Sequence, residues 1–146
     1  MSDEKIAGIM RDCVQAIVKG DVEKVLSLFA EDGVWTTPDG TFKGRDELRR
    51  YLTWFIRSVR DMTVKESGIR VMVQGNTGVY EHVLGGTMQG ARYEGLAICV
   101  YEFKNEKIQE VRTVYDRLLL AKQVAKGWLA KWLVNMIVKQ AEKGLR

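Results

Sequence analysis

Residues 107–123 read KIQEVRTVYDRLLLAKQ, and the change of pattern inside this stretch decides the fold class. Up to Tyr115 the stretch is rich in strand formers (Ile108, Val111, Thr113, Val114); after Asp116 come Leu118, Leu119 and Leu120, which suit a helix. Asp116 stands at the junction. A carboxylate is costly to desolvate, so between a strand and a leucine run it either caps the helix that follows or does chemistry. The sequence leaves both readings open.

Working back, Tyr93 to Phe103 is the clearest strand. Tyr93, Ala97, Cys99, Tyr101 and Phe103 share one side and Leu96, Ile98 and Val100 the other. Both faces are apolar, so both are expected to be covered. Lys104-Asn105-Glu106 makes a tight turn that joins this strand to the next in a hairpin. Thr63 to Val73 and Val79 to Leu84 read as two further strands around Gly75-Asn76-Thr77-Gly78, the second ending at Gly85-Gly86.

The first sixty residues are different. Ile6, Ile9/Met10, Cys13/Val14 and Ile17 recur at helical spacing behind a Ser2 cap and stop at Gly20. Asp21 is placed to cap a second helix over residues 22–30, and Glu31-Asp32-Gly33 reads as a turn. A short strand, residues 34–37, ends at Pro38-Asp39-Gly40, and a third helix runs from about residue 45 to 61 with Leu48, Leu52, Phe55 and Val59 inward. Three N-terminal helices followed by a run of strands predict an α+β fold, helices packed on one side of a curved, mostly antiparallel sheet. Such a sheet leaves a cavity, and a homodimer is the usual cover for its second face.

The chain has 146 residues, enough for one domain spanning 1–146 with a core that needs neither disulfide nor metal. The N-terminus, MSDEKIAGIM, is acidic where a secretory signal is basic, which makes the cytoplasm the expected location. Cys13 and Cys99 have no metal or redox spacing and read as buried free thiols. The net charge of +4 is uneven: from Arg117 onward seven basic residues face one acidic, a net +6, and residues 1–116 carry −2. The body therefore offers no basic surface for nucleic acid. Residues 117–146 read as a long amphipathic helix with a stripe at Ala125, Trp128/Leu129, Trp132/Leu133 and Met136/Ile137, ending near Leu145, with Gly127 a weak point. Packing across the body or a partner subunit is the favoured reading, and contact with an anionic membrane surface the alternative.

The run from Gly20 to Leu52, GDVEKVLSLFAEDGVWTTPDGTFKGRDELRRYL, resembles the nuclear transport factor two-like superfamily, and Asp116 to Gln123, DRLLLAKQ, resembles its SnoaL-like polyketide cyclase branch. Together the similar segments cover most of residues 3–124. The resemblance implies a cone-shaped fold, a dimer, and a strand-end acid that shuttles a proton in an intramolecular aldol closure, a place that falls on Asp116. The cyclases' histidine on the neighbouring strand has no counterpart between Ala97 and Glu106. The ketosteroid isomerase-like positions fall on Cys13, Thr37 and Cys99, none of which suits that job. The limonene epoxide hydrolase-like positions fall on His82, Leu84 and Thr113, so that water-activating network is missing.

Two side chains are therefore candidates for chemistry, Asp116 and His82, the chain's one histidine, which the alternation Tyr80-His82-Leu84 turns toward the cavity. A satisfied structural histidine is the plainer alternative. Trp35, Thr37, Trp54, Phe55, Cys99, Tyr101 and Tyr115 are candidates to line the cavity or simply to fill the core. No metal cluster or phosphate-binding glycine loop is visible. The expected function is a cofactor-independent lyase- or isomerase-type enzyme acting on a hydrophobic polyketide- or terpenoid-like molecule. The alternative is a non-catalytic ligand-binding or dimeric interaction module.

Overall fold

The computed structural model describes residues 1–144. Helix α1 (Asp3–Val18) begins where the Ser2 hydroxyl accepts the Lys5 amide at 3.3 Å and the acids Asp3 and Glu4 sit at the positive helix end. It ends at Gly20, whose φ of +74° suits a residue without a Cβ. Asp21 accepts the Lys24 amide at 2.9 Å and opens α2 (Val22–Leu28). Then come β1 (Phe29–Thr37), β2 (Gly40–Lys43), α3 (Gly44–Ser58), β3 (Arg60–Gln74), β4 (Thr77–Met88), β5 (Ala91–Lys104), β6 (Lys107–Tyr115), α4 (Arg117–Val124) and α5 (Gly127–Ala141).

The six strands form one sheet in the order β2-β1-β6-β5-β4-β3, antiparallel except for the β1–β6 pair. The parallel pair lets the chain return to its first strand, which closes one side of the cone. At the other side, β3 curls away through register shifts between Arg60 and Thr63 and between Glu66 and Val71. Gly68, at φ +53°, sits in the second of these, where a Cβ would collide with the Glu81 carboxylate. That carboxylate accepts the Ser67 hydroxyl at 3.1 Å and the Ile69 amide at 3.3 Å, which pins the curl.

Helices α1 to α3 lie on the concave face. Ile6, Met10, Val25, Leu26, Leu48, Leu52, Ile108 and Val111 are all fully buried there. Each such side chain contributes about 1.5–3 kcal/mol, more than the exposed ion pairs at the surface can offer.

Several boundaries differ from the sequence reading. The second helix stops at Leu28 because Phe29 turns extended (φ −85°, ψ 153°) to pair with Ile108 and stack on Trp35 at 5.7 Å. The expected Glu31-Asp32-Gly33 turn is instead a bulge inside a longer β1. The third helix ends at Ser58, three residues early, as Val59 turns extended (φ −123°, ψ 125°) ahead of β3. Strand β4 runs through Gly85 and Gly86 because both keep partners on β5. The hairpin between β5 and β6 is as read, with Asn105 and Glu106 at φ +50° and +62° in the turn.

The outer face of β5 and β6 is open in the single chain, with Leu96 47% and Val114 67% exposed, and is the face for which a second copy is the expected cover. One expectation about covered surface is corrected. The C-terminal segment is two helices broken at Ala125–Lys126, with Gly127 at φ +75°, and no residue of α5 is buried, so it does not pack across the body. The expected end of that helix, Leu145, lies outside the described residues.

Candidate functional site

The curled sheet and the helices enclose a cavity of about 530 Å³. Register explains its lining. Across β4, β5 and β6, His82 pairs with Ala97 and Ala97 with Tyr115; the next row is Tyr80, Cys99 and Thr113; the next is Gly78, Tyr101 and Val111, continued on β1 by Trp35. Alternation sends the side chains of all three rows to the concave face. Strands lie about 4.8 Å apart, so His82 and Tyr115 stand roughly 10 Å apart across Ala97, whose methyl group leaves the space between them open. From the helical side come Val14, Ile17, Tyr51 and Phe55.

Three polar groups in the middle of the wall pair with one another. The Trp35 indole donates to Thr113 Oγ1 at 2.8 Å, and Cys99 Sγ lies 3.3 Å from the same hydroxyl. Burial pushes the Cys99 thiol up to about 11, the Cys13 thiol to about 12 and the Tyr51 phenol to about 12. Tyr101, fully enclosed, is raised well above its ordinary value for the same reason. All four are neutral at pH 7, so no thiolate nucleophile exists in this wall.

His82 adds an imidazole to this wall. It is 4% exposed and its Nδ1 is, among the described residues, the one buried side-chain nitrogen or oxygen with no hydrogen-bond partner. Burial holds its pKa below the ordinary histidine value; the Tyr80 backbone opposes this without reaching hydrogen-bond geometry at Nδ1. An imidazole kept neutral in the lining of a cavity can hold or exchange one proton.

A second polar group sits at the mouth. Asp39 lies on the exposed turn between β1 and β2, yet its carboxylate points inward with the side chain 18% exposed. Tyr115 Oη donates to Asp39 Oδ2 at 2.7 Å, Arg117 Nη2 lies 3.7 Å from Asp39 Oδ1, and Arg117 Nη1 donates to the Pro38 carbonyl at 2.9 Å. Burial, then the neighbouring Asp39, raises the Tyr115 phenol far above its usual range. Asp116 also borders the cavity, but its Oδ1 accepts the Leu118 and Leu119 amides, both at 2.9 Å, so it caps α4.

Of the residues singled out from sequence, Trp35, Cys99 and Tyr101 form the buried wall, and Phe55 and Tyr115 line the opening. Trp54 borders the cavity but is 54% exposed. Thr37 is not a lining residue: it is buried behind the wall and accepts the Asp39 amide at 3.0 Å. The sequence reading missed Asp39, Arg117 and Thr113 as site residues. The signal for Asp39 was its place just after the strand-ending Pro38, overlooked because a Pro-Asp-Gly sequence reads as a turn.

Helix α4 forms the roof, presenting Leu120, Ala121 and Val124 to the cavity. It crosses β5 where β6 has ended, and Gln123 replaces the missing strand: its Oε1 accepts the Glu94 amide and its Nε2 donates to the Glu94 carbonyl, both at 2.8 Å. Gln123→Ala removes both bonds, each worth about 0.5–1.5 kcal/mol. The expected result is a roughly tenfold loss of hydrogen-exchange protection in α4 amides, with core amides unaffected.

An α+β cone with helices closing a cavity on a curled six-stranded sheet defines the nuclear transport factor two-like class. Residues 10–111 match the family model described as the SnoaL-like domain, and the chain belongs to that family. No curated protein matches it in sequence. Among solved structures it is similar to a ketosteroid isomerase-like protein of Catenulispora acidiphila in complex with trimethylamine (20% identity over 85% of this chain and 95% of that one, TM-score 0.74). It is similar to a limonene epoxide hydrolase-like epoxide hydrolase of M. tuberculosis (18%, 92% and 96%, 0.71) and to TerC co-crystallised with polyporic acid (14%, 84% and 99%, 0.73). At these identities the likeness concerns the fold.

Proposed function

We propose that this chain is a cofactor-independent small-molecule enzyme of the lyase or isomerase type, acting in the cytoplasm on a hydrophobic polyketide- or terpenoid-like substrate. The carrying observation is His82, a buried imidazole whose Nδ1 has no hydrogen-bond partner, in the lining of a mainly apolar cavity. A flat carbonyl compound fits between the aromatic walls, where His82 holds or exchanges a proton at the carbonyl oxygen. A carboxylate at the mouth, Asp116 or Asp39, takes the proton from the adjacent activated carbon. The proton lost from carbon and the one gained by oxygen balance, so no co-reactant is consumed. The cavity size and the relatives that carry small organic ligands or hydrolase activity support this reading. The open outer sheet face supports a homodimer.

A second reading, a non-catalytic binder of the same class of ligand, is favoured by one observation: the Asp116 carboxylate is already engaged by two amides. Native mass spectrometry of gently purified protein identifies any co-purifying ligand, which is then incubated with the protein and with Asp116→Asn. Conversion by the unaltered chain and a drop of at least about a hundredfold in the variant are expected for an acid/base role. Conversion undiminished in Asp116→Asn removes Asp116 from the chemistry, and a ligand returned unchanged by the unaltered chain establishes the binder.

A further inference from the structure

Helix α5 is the least explained part of the molecule. Its 15 residues, GWLAKWLVNMIVKQA, include Trp128 at 80% exposure, Trp132 at 55%, Leu129 at 53%, Ile137 at 53% and Met136 at 47%. Its one substantial packing partner is α4. Large apolar side chains in a contiguous row on a solvent-facing helix need a cover.

We propose that α5 is a surface anchor that lies flat on an anionic lipid bilayer. Successive residues turn by about 100° around a helix. Leu129, Leu133, Met136 and Ile137 therefore share one broad arc, Trp132 and Trp128 extend it along the border that also carries Lys139, and Lys131 and Asn135 lie beyond that border. Indoles favour that border at a lipid interface, where the ring is in hydrocarbon and the N–H in water. The length excludes crossing: 15 residues rise about 22 Å against a hydrocarbon core of about 30 Å. Among the described residues no helix is long and apolar enough to span a membrane.

Charge chooses the occupant. Lys126, Lys131, Lys139 and Lys143 are exposed, and among the described residues none of them meets a carboxylate within ion-pair distance. A second copy docked helix to helix would set these lysines against their own counterparts, with Glu142 the one acid of the segment. An anionic headgroup layer supplies the counter-charge that a second copy lacks. Gly127 joins α5 to α4, the cavity roof, so anchoring would hold that roof near the bilayer from which a lipid-soluble ligand would come. That consequence rests on the proposed function; the anchor itself does not.

The test is co-sedimentation of the full chain with vesicles of phosphatidylcholine alone and of phosphatidylcholine with 30% phosphatidylserine, in about 0.1 M salt. Binding at least about tenfold stronger to the anionic vesicles is expected, with a blue shift of tryptophan emission. Lys131→Gln with Lys139→Gln lowers it by roughly five-fold per lysine. Trp128→Ser with Trp132→Ser abolishes it while circular dichroism stays native, because both residues are exposed. No binding to anionic vesicles overturns the proposal. So does a dimer that the tryptophan variant converts to monomer in a protein that ignores vesicles, which identifies a second copy as the cover. Neither outcome touches the cavity reading, since no catalytic candidate is altered.

Discussion

Tyr101→Ala is expected to destabilise the protein by about 3 to 5 kcal/mol, read as a fall in the urea midpoint with an unchanged slope. Tyr101 is 1% exposed, stacks on Phe103 at a centroid distance of 6.2 Å, and lies in the same buried core as Cys13 of α1. It joins the helical layer to the middle of the sheet and also forms part of the cavity wall. Truncation removes a ring's worth of buried contacts, and the rigid β5 backbone cannot move in to fill the space. Tyr101→Phe keeps the ring and loses only the hydroxyl, so its cost is expected to be at most about 1 kcal/mol. A Tyr101→Ala loss as small as that of Tyr101→Phe would mean that the ring is not packed as described.

His82→Gln is expected to reduce turnover of the identified substrate by about 10² to 10⁴ while leaving KM within a few-fold. Glutamine retains a donor for a substrate carbonyl and fills similar space, but it cannot exchange a proton near neutral pH. A rise in KM with kcat unchanged would make His82 a holding group and support the binder. The same variant has a signature in stability. The folded-state pKa of His82 lies below the ordinary 6.5 because burial penalises the charged ring. The unfolded chain therefore takes up this proton first as pH falls. The stability linked to neutral His82 is complete above pH 6.5 and is lost as pH drops through the depressed folded value. His82→Gln should flatten that segment of the stability profile, measured by urea unfolding between pH 7.5 and 5.

Local rules carried much of the fold. The caps at Ser2 and Asp21, the stop at Gly20 and the Asn105-Glu106 turn rest on contacts between near neighbours and stand where the pattern put them. The errors arose where a distant partner outvoted local preference. Phe29 left its helix for Ile108 and Trp35, and the Glu31-Asp32-Gly33 segment joined the sheet as a bulge because β6 lies alongside it. In the site, His82 was legible because strand alternation fixes which way it faces. Asp39 was not: its inward turn depends on Tyr115 and Arg117, which are 76 and 78 positions along the chain.

Asp116 shows where sequence reading reaches its end. The strand-to-helix junction and the two competing roles of its carboxylate are written in KIQEVRTVYDRLLLAKQ, since periodicity and capping are properties of neighbouring residues. So are the α+β class, the SnoaL-like resemblance and the basic, tryptophan-bearing tail. Only the tertiary structure decided that Asp116 caps α4, that His82 Nδ1 is left without a partner, that Thr37 sits behind the wall and that α5 stands uncovered. The reason is physical: whether a polar atom is satisfied, or an apolar face covered, depends on groups brought together from far along the chain. Such groups leave no periodicity in the sequence around them.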